Sequence, residues 1–311
     1  MKKTVKPPFV SRSPLSRRDA LRSFGVTLAA VPLTQVLGCD LPVDLTDPPV
    51  GGEESGGAGA VTQPGTGGDS SATGWASGGT ASIAAAAYQN PFQGAAEGSC
   101  TLTCRTTLGP CHDDLAPERE DISEGRPGLP MRLGFRVVDE NCVPITDASV
   151  DVWHVDAAGL YSSETADSPS YCTGNDRAAL AARFFRGHQP TDSDGIAWFN
   201  SCFPGWYRGR AVHIHLTVRR SGRAGDEYLT TQVAFDEELI QDVFSSHPDY
   251  IAHGQPDTSY ATDNVFPSAN VDDYLMNTQQ MDDGVLLAWK TIVIRSSLSD
   301  AVCGGGFGFG L

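Results

Sequence analysis

Pro204-Gly205-Trp206-Tyr207-Arg208-Gly209-Arg210-Ala211-Val212-His213-Ile214-His215 is the stretch from which the rest of the chain can be read. Its end opens an apolar run, Ala211 to Val218, with the pattern of a β-strand. Side chains at i and i+2 of a strand share a face, so His213 and His215 point one way and Val212 and Ile214 the other. Two imidazoles on one face are half of a metal site; equally, a strand can carry two partly buried histidines and no metal. The surroundings favour chemistry. Tyr207 lies six residues before His213, Arg210 three before it, and a Pro-Gly turn precedes both.

Outward from this strand, further strand signals recur at Met131 to Val138, Ala148 to Val155, Ile196 to Phe199, Leu229 to Phe235 and Leu286 to Ile294. Turn residues punctuate them, including Asp139-Glu140-Asn141 and Asp192-Ser193-Asp194-Gly195. The second cluster has the start of a calcium loop but no bidentate acid at the right spacing, so Asp194-Gly195 reads as a hairpin turn. Short, regularly spaced strands with few helical periods predict an all-β protein, an antiparallel β-sandwich.

The 311 residues carry 40% hydrophobic and 19% charged side chains, enough to bury a core, and a formal charge of −16. That charge argues against nucleic acid or an anionic membrane surface as partner. The N-terminus reads as an address. Ser16-Arg17-Arg18-Asp19-Ala20-Leu21 is a twin-arginine pattern followed by an apolar segment, Phe24 to Leu37. At about 14 residues it is short for a membrane span, which needs roughly 20. Val36-Leu37-Gly38-Cys39 is similar to a lipobox, with Cys39 the acylated first residue and the only membrane attachment expected. Removing residues 1–38 takes away seven Lys/Arg and one Asp, leaving −22. Residues 39–95 are rich in Gly, Ser and Thr, with 11 glycines in residues 51–80, and read as a flexible tether with a span of about 40 Å. The predicted catalytic domain covers 96–300, and a Gly/Phe-rich tail, 301–311, has no interpretation.

Eight cysteines fit an oxidising compartment. With Cys39 acylated, seven remain (Cys100, Cys104, Cys111, Cys142, Cys172, Cys202 and Cys303), so at most three bridges form and one thiol stays free. A zinc cluster built on Cys100-x3-Cys104 is the competing use, weakened by the lack of a second close pair.

The pattern P-G-W-Y-x-G-R-x-x-H-I-H resembles the iron-ligand segment of the intradiol ring-cleavage dioxygenases, and most of all that of their secreted, single-chain members. The resemblance runs from about Leu102 to Arg295. It implies Fe(III) held by Tyr161, Tyr207, His213 and His215, with Tyr161 supplied by Trp153-His154-Val155-Asp156-Ala157-Ala158-Gly159-Leu160-Tyr161. It further implies that a small aromatic diol and O2 are the substrates, that Tyr207 is the ligand that leaves, that Arg210 stabilises charge developing on the substrate, and that Gln232 supports the site. Gly109-Pro110 resembles the family's entry segment, but Cys111-His112 replace the aromatic residues usual there, so His112 is either a fifth polar group of the pocket or a surface or lining histidine. Trp153 reads as core packing, and Tyr171, Tyr228, Tyr250 and Tyr260 as packing or surface residues. The N-terminal dimerisation helices of catechol 1,2-dioxygenases are absent, so no oligomeric state carries over. Two rivals remain. One is a non-catalytic tethered β-sandwich binding module; the other is a β-barrel metal oxygenase built on the His-x-His pair, which would need a downstream carboxylate and a third histidine.

Overall fold

The computed structural model describes residues 74–93, 100–266 and 270–303. The export signal, Cys39, the tether up to residue 73 and the tail from residue 304 lie outside the described residues. Two four-stranded sheets face each other. The strands are β1 (Pro130–Asp139), β2 (Ser149–Trp153), β3 (Arg186–Pro190), β4 (Ile196–Cys202), β5 (His213–Arg219), β6 (Glu227–Ala234), β7 (Asn277–Gln280) and β8 (Leu286–Ile294). One sheet has the order β3-β2-β5-β6 and the other β4-β1-β8-β7. The sandwich expected from the strand spacing is present, with one departure: β8 lies parallel to β1. A parallel pair needs a long crossover, and here the whole of the intervening domain supplies it.

Alternation decides which residues form the core. Met131, Leu133, Phe135 and Val137 of β1 are fully buried against Ile214, Leu216 and Val218 of β5 and Val150 and Val152 of β2. Truncating such a side chain to alanine typically costs about 2–5 kcal/mol. Asp192 to Gly195 forms a tight turn, with the Asp192 carboxylate accepting from the amides of Asp194 and Ile196. It is not a hairpin, however: it carries the chain from β3 in one sheet to β4 in the other. Sequence periodicity passed over one long helix, α3 (Glu237–Ser246). Asp236 caps it by accepting from the amides of Glu238 and Leu239, and Ile240, Val243 and Phe244 form its buried stripe. Two single turns, α1 (Pro169–Thr173) and α2 (Arg177–Ala181), lie in the long connection between β2 and β3.

Residues 74–93, expected within the tether, pack on the sandwich instead. Trp75 Nε1 donates to Asp242, Tyr88 Oη to Asp283, and Phe92 is buried against Trp198. A low-complexity stretch can dock when a few large rings, here Trp75, Tyr88 and Phe92, find partners outside it. Three disulfides join Cys100 to Cys142, Cys104 to Cys303 across 199 residues, and Cys111 to Cys172. Among the described residues Cys202 is the free thiol, and it is buried. Cys100 and Cys104 are thus both committed to other partners, which removes the zinc cluster, and the three bridges fit an oxidising compartment.

Candidate metal centre

Strand β5 sets the first two side chains. His213 and His215 occupy its outer face, opposite Ala234 and Gln232 of β6 and, for His215, Trp153 of β2. Both rings are buried, and their Nε2 atoms stand 3.2 Å apart. Nδ1 of His213 lies 2.6 Å from the Ala211 carbonyl. It therefore donates there and leaves the Nε2 lone pair facing its neighbour. His215 is stacked on Trp153, with ring centres 4.9 Å apart. Burial pushes the His213 ring down to about 3, helped by the Arg210 guanidinium. Burial, then the His213 neighbour, pushes His215 well below its ordinary value. Both are neutral imidazoles with lone pairs to offer.

The two tyrosines come from loops that interlock through their glycines. Gly159, two residues before Tyr161, has φ +80°, and a Cβ there would strike the Trp206 carbonyl. A Cβ on Gly205, two residues before Tyr207, would strike the Asp156 carbonyl. The loops thus meet backbone to backbone, and the Gly205 amide donates to Asp156. Asp156 braces this corner by accepting from the amides of Ala158 and Leu160 and from Arg126. Tyr207 Oη ends 3.3 Å from His213 Nε2, and the Tyr161 and Tyr207 rings meet edge to face at 5.7 Å. Burial holds both phenols above their ordinary pKa in this environment, Tyr161 far above.

Arg210 stands beside this group. Its Nη1 is 3.4 Å from Tyr207 Oη, Nη2 donates to Gln232 Oε1 at 2.6 Å, and Nε donates to Asp263 Oδ2 at 2.9 Å. Gln232 in turn donates to the Thr107 carbonyl. All six residues singled out in the sequence are therefore brought together. No local pattern points to Asp263, which also accepts from the Ala211 amide; burial works against its ionisation, but the Arg210 charge and that amide hold its carboxyl below the usual range. Arg186 was missed as well. It is buried, with its guanidinium 5.7 Å from the Tyr161 ring centre. His112 stands outside the four-donor group: its ring meets Trp153 edge to face, and Trp153 in turn stacks on His215.

A cavity of 210 Å³ opens onto the centre, lined by Gly109, Tyr161, Tyr171, Tyr207, Arg210 and His215 among others. A larger cleft of 460 Å³, against Ile240, Gln255 and Tyr260, reaches none of the four donor residues. The geometry fits a metal ion. Two ligands at right angles on one ion, with bonds of about 2.1 Å, lie about 3 Å apart. The imidazole pair and the Tyr207–His213 contact both match that spacing.

A family model described as a dioxygenase matches residues 105–265, more than half of the chain. The intradiol ring-cleavage dioxygenase hqdA of Aspergillus niger is 23% identical over 180 residues, 47% of this chain and 51% of that protein, so the match spans about half of the curated relative's length. The solved intradiol ring-cleavage dioxygenase of Tetranychus urticae is 29% identical, with 63% of this chain and 95% of that one covered and a TM-score of 0.55. A second solved dioxygenase is 28% identical over 66% of this chain and 98% of its own, with a TM-score of 0.56. The strands, the two interlocked tyrosine loops and these matches agree: the chain belongs to the intradiol ring-cleavage dioxygenase family.

Proposed function

We propose that this protein is a ferric-iron dioxygenase that opens a catechol ring between its two hydroxyl-bearing carbons and adds both atoms of O2, giving a muconate-type diacid. The observation that carries this reading is the convergence of two neutral Nε2 atoms and the Tyr207 phenol at about 3.3 Å spacing, with Tyr161 beside them on the 210 Å³ cavity. Tyr161, Tyr207, His213 and His215 would hold the ion, because phenolate oxygens with neutral imidazoles suit a hard, highly charged cation. When bound, ferric iron acidifies the hydroxyl groups it touches and makes the catecholate reactive toward O2.

The chain's own residues do the rest. Tyr207 lies on a loop and is partly buried, whereas Tyr161 is 3% exposed with its amide tied to the Cys172 carbonyl. Tyr207 is therefore the one free to swing, and its oxygen takes the second catechol proton. Arg210 Nη1 lies beside that oxygen, so once Tyr207 has taken the proton and moved aside the guanidinium is left facing the diol, where it offsets negative charge developing on the substrate. Gln232 and Asp263 fix the guanidinium from two sides, and Trp153 fixes the plane of His215. The balance closes without a co-reductant: one diol and one O2 yield one diacid. The binding-module alternative leaves this convergence without a use.

The same proposal puts the domain outside the cytoplasm, exported folded by a twin-arginine signal over residues 1–38 and anchored through an acylated Cys39. The test is direct. The purified, iron-loaded protein is expected to hold one iron per chain, to be red to burgundy, and to consume one O2 per catechol with a ring-opened diacid as product. A colourless protein that takes up zinc in preference to iron and leaves a panel of catechols intact overturns the proposal.

A further inference from the structure

Helix α1 brings Tyr171 to the mouth of the 210 Å³ cavity with its side chain mostly in solvent, 67% exposed. Of the large hydrophobic side chains exposed among the described residues, it is the one that lines this cavity. Its support cannot swing freely. The next residue, Cys172, is bonded to Cys111; the Cys172 carbonyl accepts from the Tyr161 amide; and the Ser168 amide donates to the Pro110 carbonyl. The turn is thereby joined to the loop carrying Gly109 to Cys111 on one side and to the Tyr161 segment on the other. A ring held on so fixed a base loses little freedom when a ligand lies against it, which is how aromatic side chains gain affinity.

Charge narrows what that ligand is. Among the described lining residues Arg210 is the one permanent charge, and its Nε, Nη1 and Nη2 are taken by Asp263, Tyr207 and Gln232. An anionic substituent on the substrate ring meets a single cation that is already paired with the Asp263 carboxylate and shared with the reacting centre. An uncharged apolar substituent meets Tyr171, Pro110 and Val265.

We propose that Tyr171, held by the Cys111–Cys172 disulfide, is a specificity-determining residue that packs on a substituent carried at the end of the substrate ring farthest from the four-donor centre and selects catechols with an uncharged apolar substituent over carboxylated ones. This rests on the dioxygenase reading of the site. Tyr171 takes no part in the bond-breaking chemistry.

The test compares the full chain with Tyr171→Ala and Tyr171→Phe on catechol, 4-tert-butylcatechol and 3,4-dihydroxybenzoate. Because Tyr171 is exposed, neither change disturbs the core. In Tyr171→Ala the KM for 4-tert-butylcatechol is expected to rise about three- to tenfold, the range of an aromatic contact. The kcat values and the KM for unsubstituted catechol should stay within about twofold. Tyr171→Phe should behave as the parent. Equilibrium binding of 4-tert-butylcatechol without O2, followed by calorimetry, should weaken by the same factor in Tyr171→Ala. Parental KM and binding in Tyr171→Ala, or 3,4-dihydroxybenzoate as the best substrate, overturns the proposal while leaving the dioxygenase reading intact. Tyr171-dependent binding with no turnover of any diol would instead sink that reading and leave this one standing.

Discussion

The two sheets share one core yet have opposite outer faces. On the β4-β1-β8-β7 sheet the outward side chains, among them Arg132, Arg136, Trp198 and Trp289, remain partly exposed, and edge strand β7 is largely exposed. On the β3-β2-β5-β6 sheet the outward side chains are polar but buried: Asp151, His213, His215, Thr217, Thr230 and Gln232. Loops 105–116 and 156–185 and the Tyr207 segment contribute to that cover. Polar groups facing water say nothing about function. Polar groups carried by a strand and then covered have lost hydration, and only specific partners can restore it. The difference between the faces thus locates the site without any motif.

The sharpest way to break the comparison is to exchange its two sides. His215→Ala should abolish iron binding and lower turnover by roughly 10³-fold, since several kcal/mol of metal-derived stabilisation disappear. Trp289→Ala, at an outward position of the other sheet, should leave kcat/KM within about twofold, surface changes being small. Iron content and steady-state rates on both variants check this; a comparable loss from Trp289→Ala would mean that the outer faces are not functionally distinct. The next effect concerns the loops that cover the polar face. Gly159→Ala and Gly205→Ala each force apart the backbones that seat the tyrosines. A displacement of that kind should cost about 10²-fold in kcat with the sandwich still folded. Circular dichroism with turnover measurements tests it, and unchanged rates would show that the tyrosines are seated by something else.

The smallest effect sharpens the comparison through pH. Burial works to raise the Asp113 carboxyl, but the Ser163 hydroxyl and Leu115 amide bonds hold it below the usual 3.8. A depressed native pKa contributes stability that is present above the unfolded value and lost as pH falls through the native one. The cover over the polar face should therefore loosen below about pH 4. Asp113→Asn should flatten that acid limb, as read from thermal melts between pH 3 and 7 (range set around the carboxylate pKa of about 3.9). A parental acid limb in the variant would clear Asp113 of the role.

How much of this was legible in the sequence follows from distance along the chain. His213 and His215 share a face because a strand repeats every two residues, and Tyr207 and Arg210 are carried on the same short segment. Tyr161 and Gln232 were reached through the resemblance. Asp263 and Arg186 lie far along the chain from the groups they touch, and nothing in their local pattern announces the contact. Strand β3, Arg-Gly-His-Gln-Pro, and the polar β7, Asn-Thr-Gln-Gln, lack an apolar alternation and were passed over. The parallel β1–β8 pair was hidden for a related reason: strand signals say where strands are, not which neighbour they choose.

The Cys104–Cys303 bond closes a ring around all eight strands. Peptidases that nibble from either end of the chain meet this closure before they reach any of the four proposed iron ligands. A single cut inside an exposed loop opens the ring into a linear molecule and releases no fragment, so β1 and β8 stay tethered and can remain zipped. Two cuts are needed before a piece can drift away. The catalytic domain is built to survive being nicked.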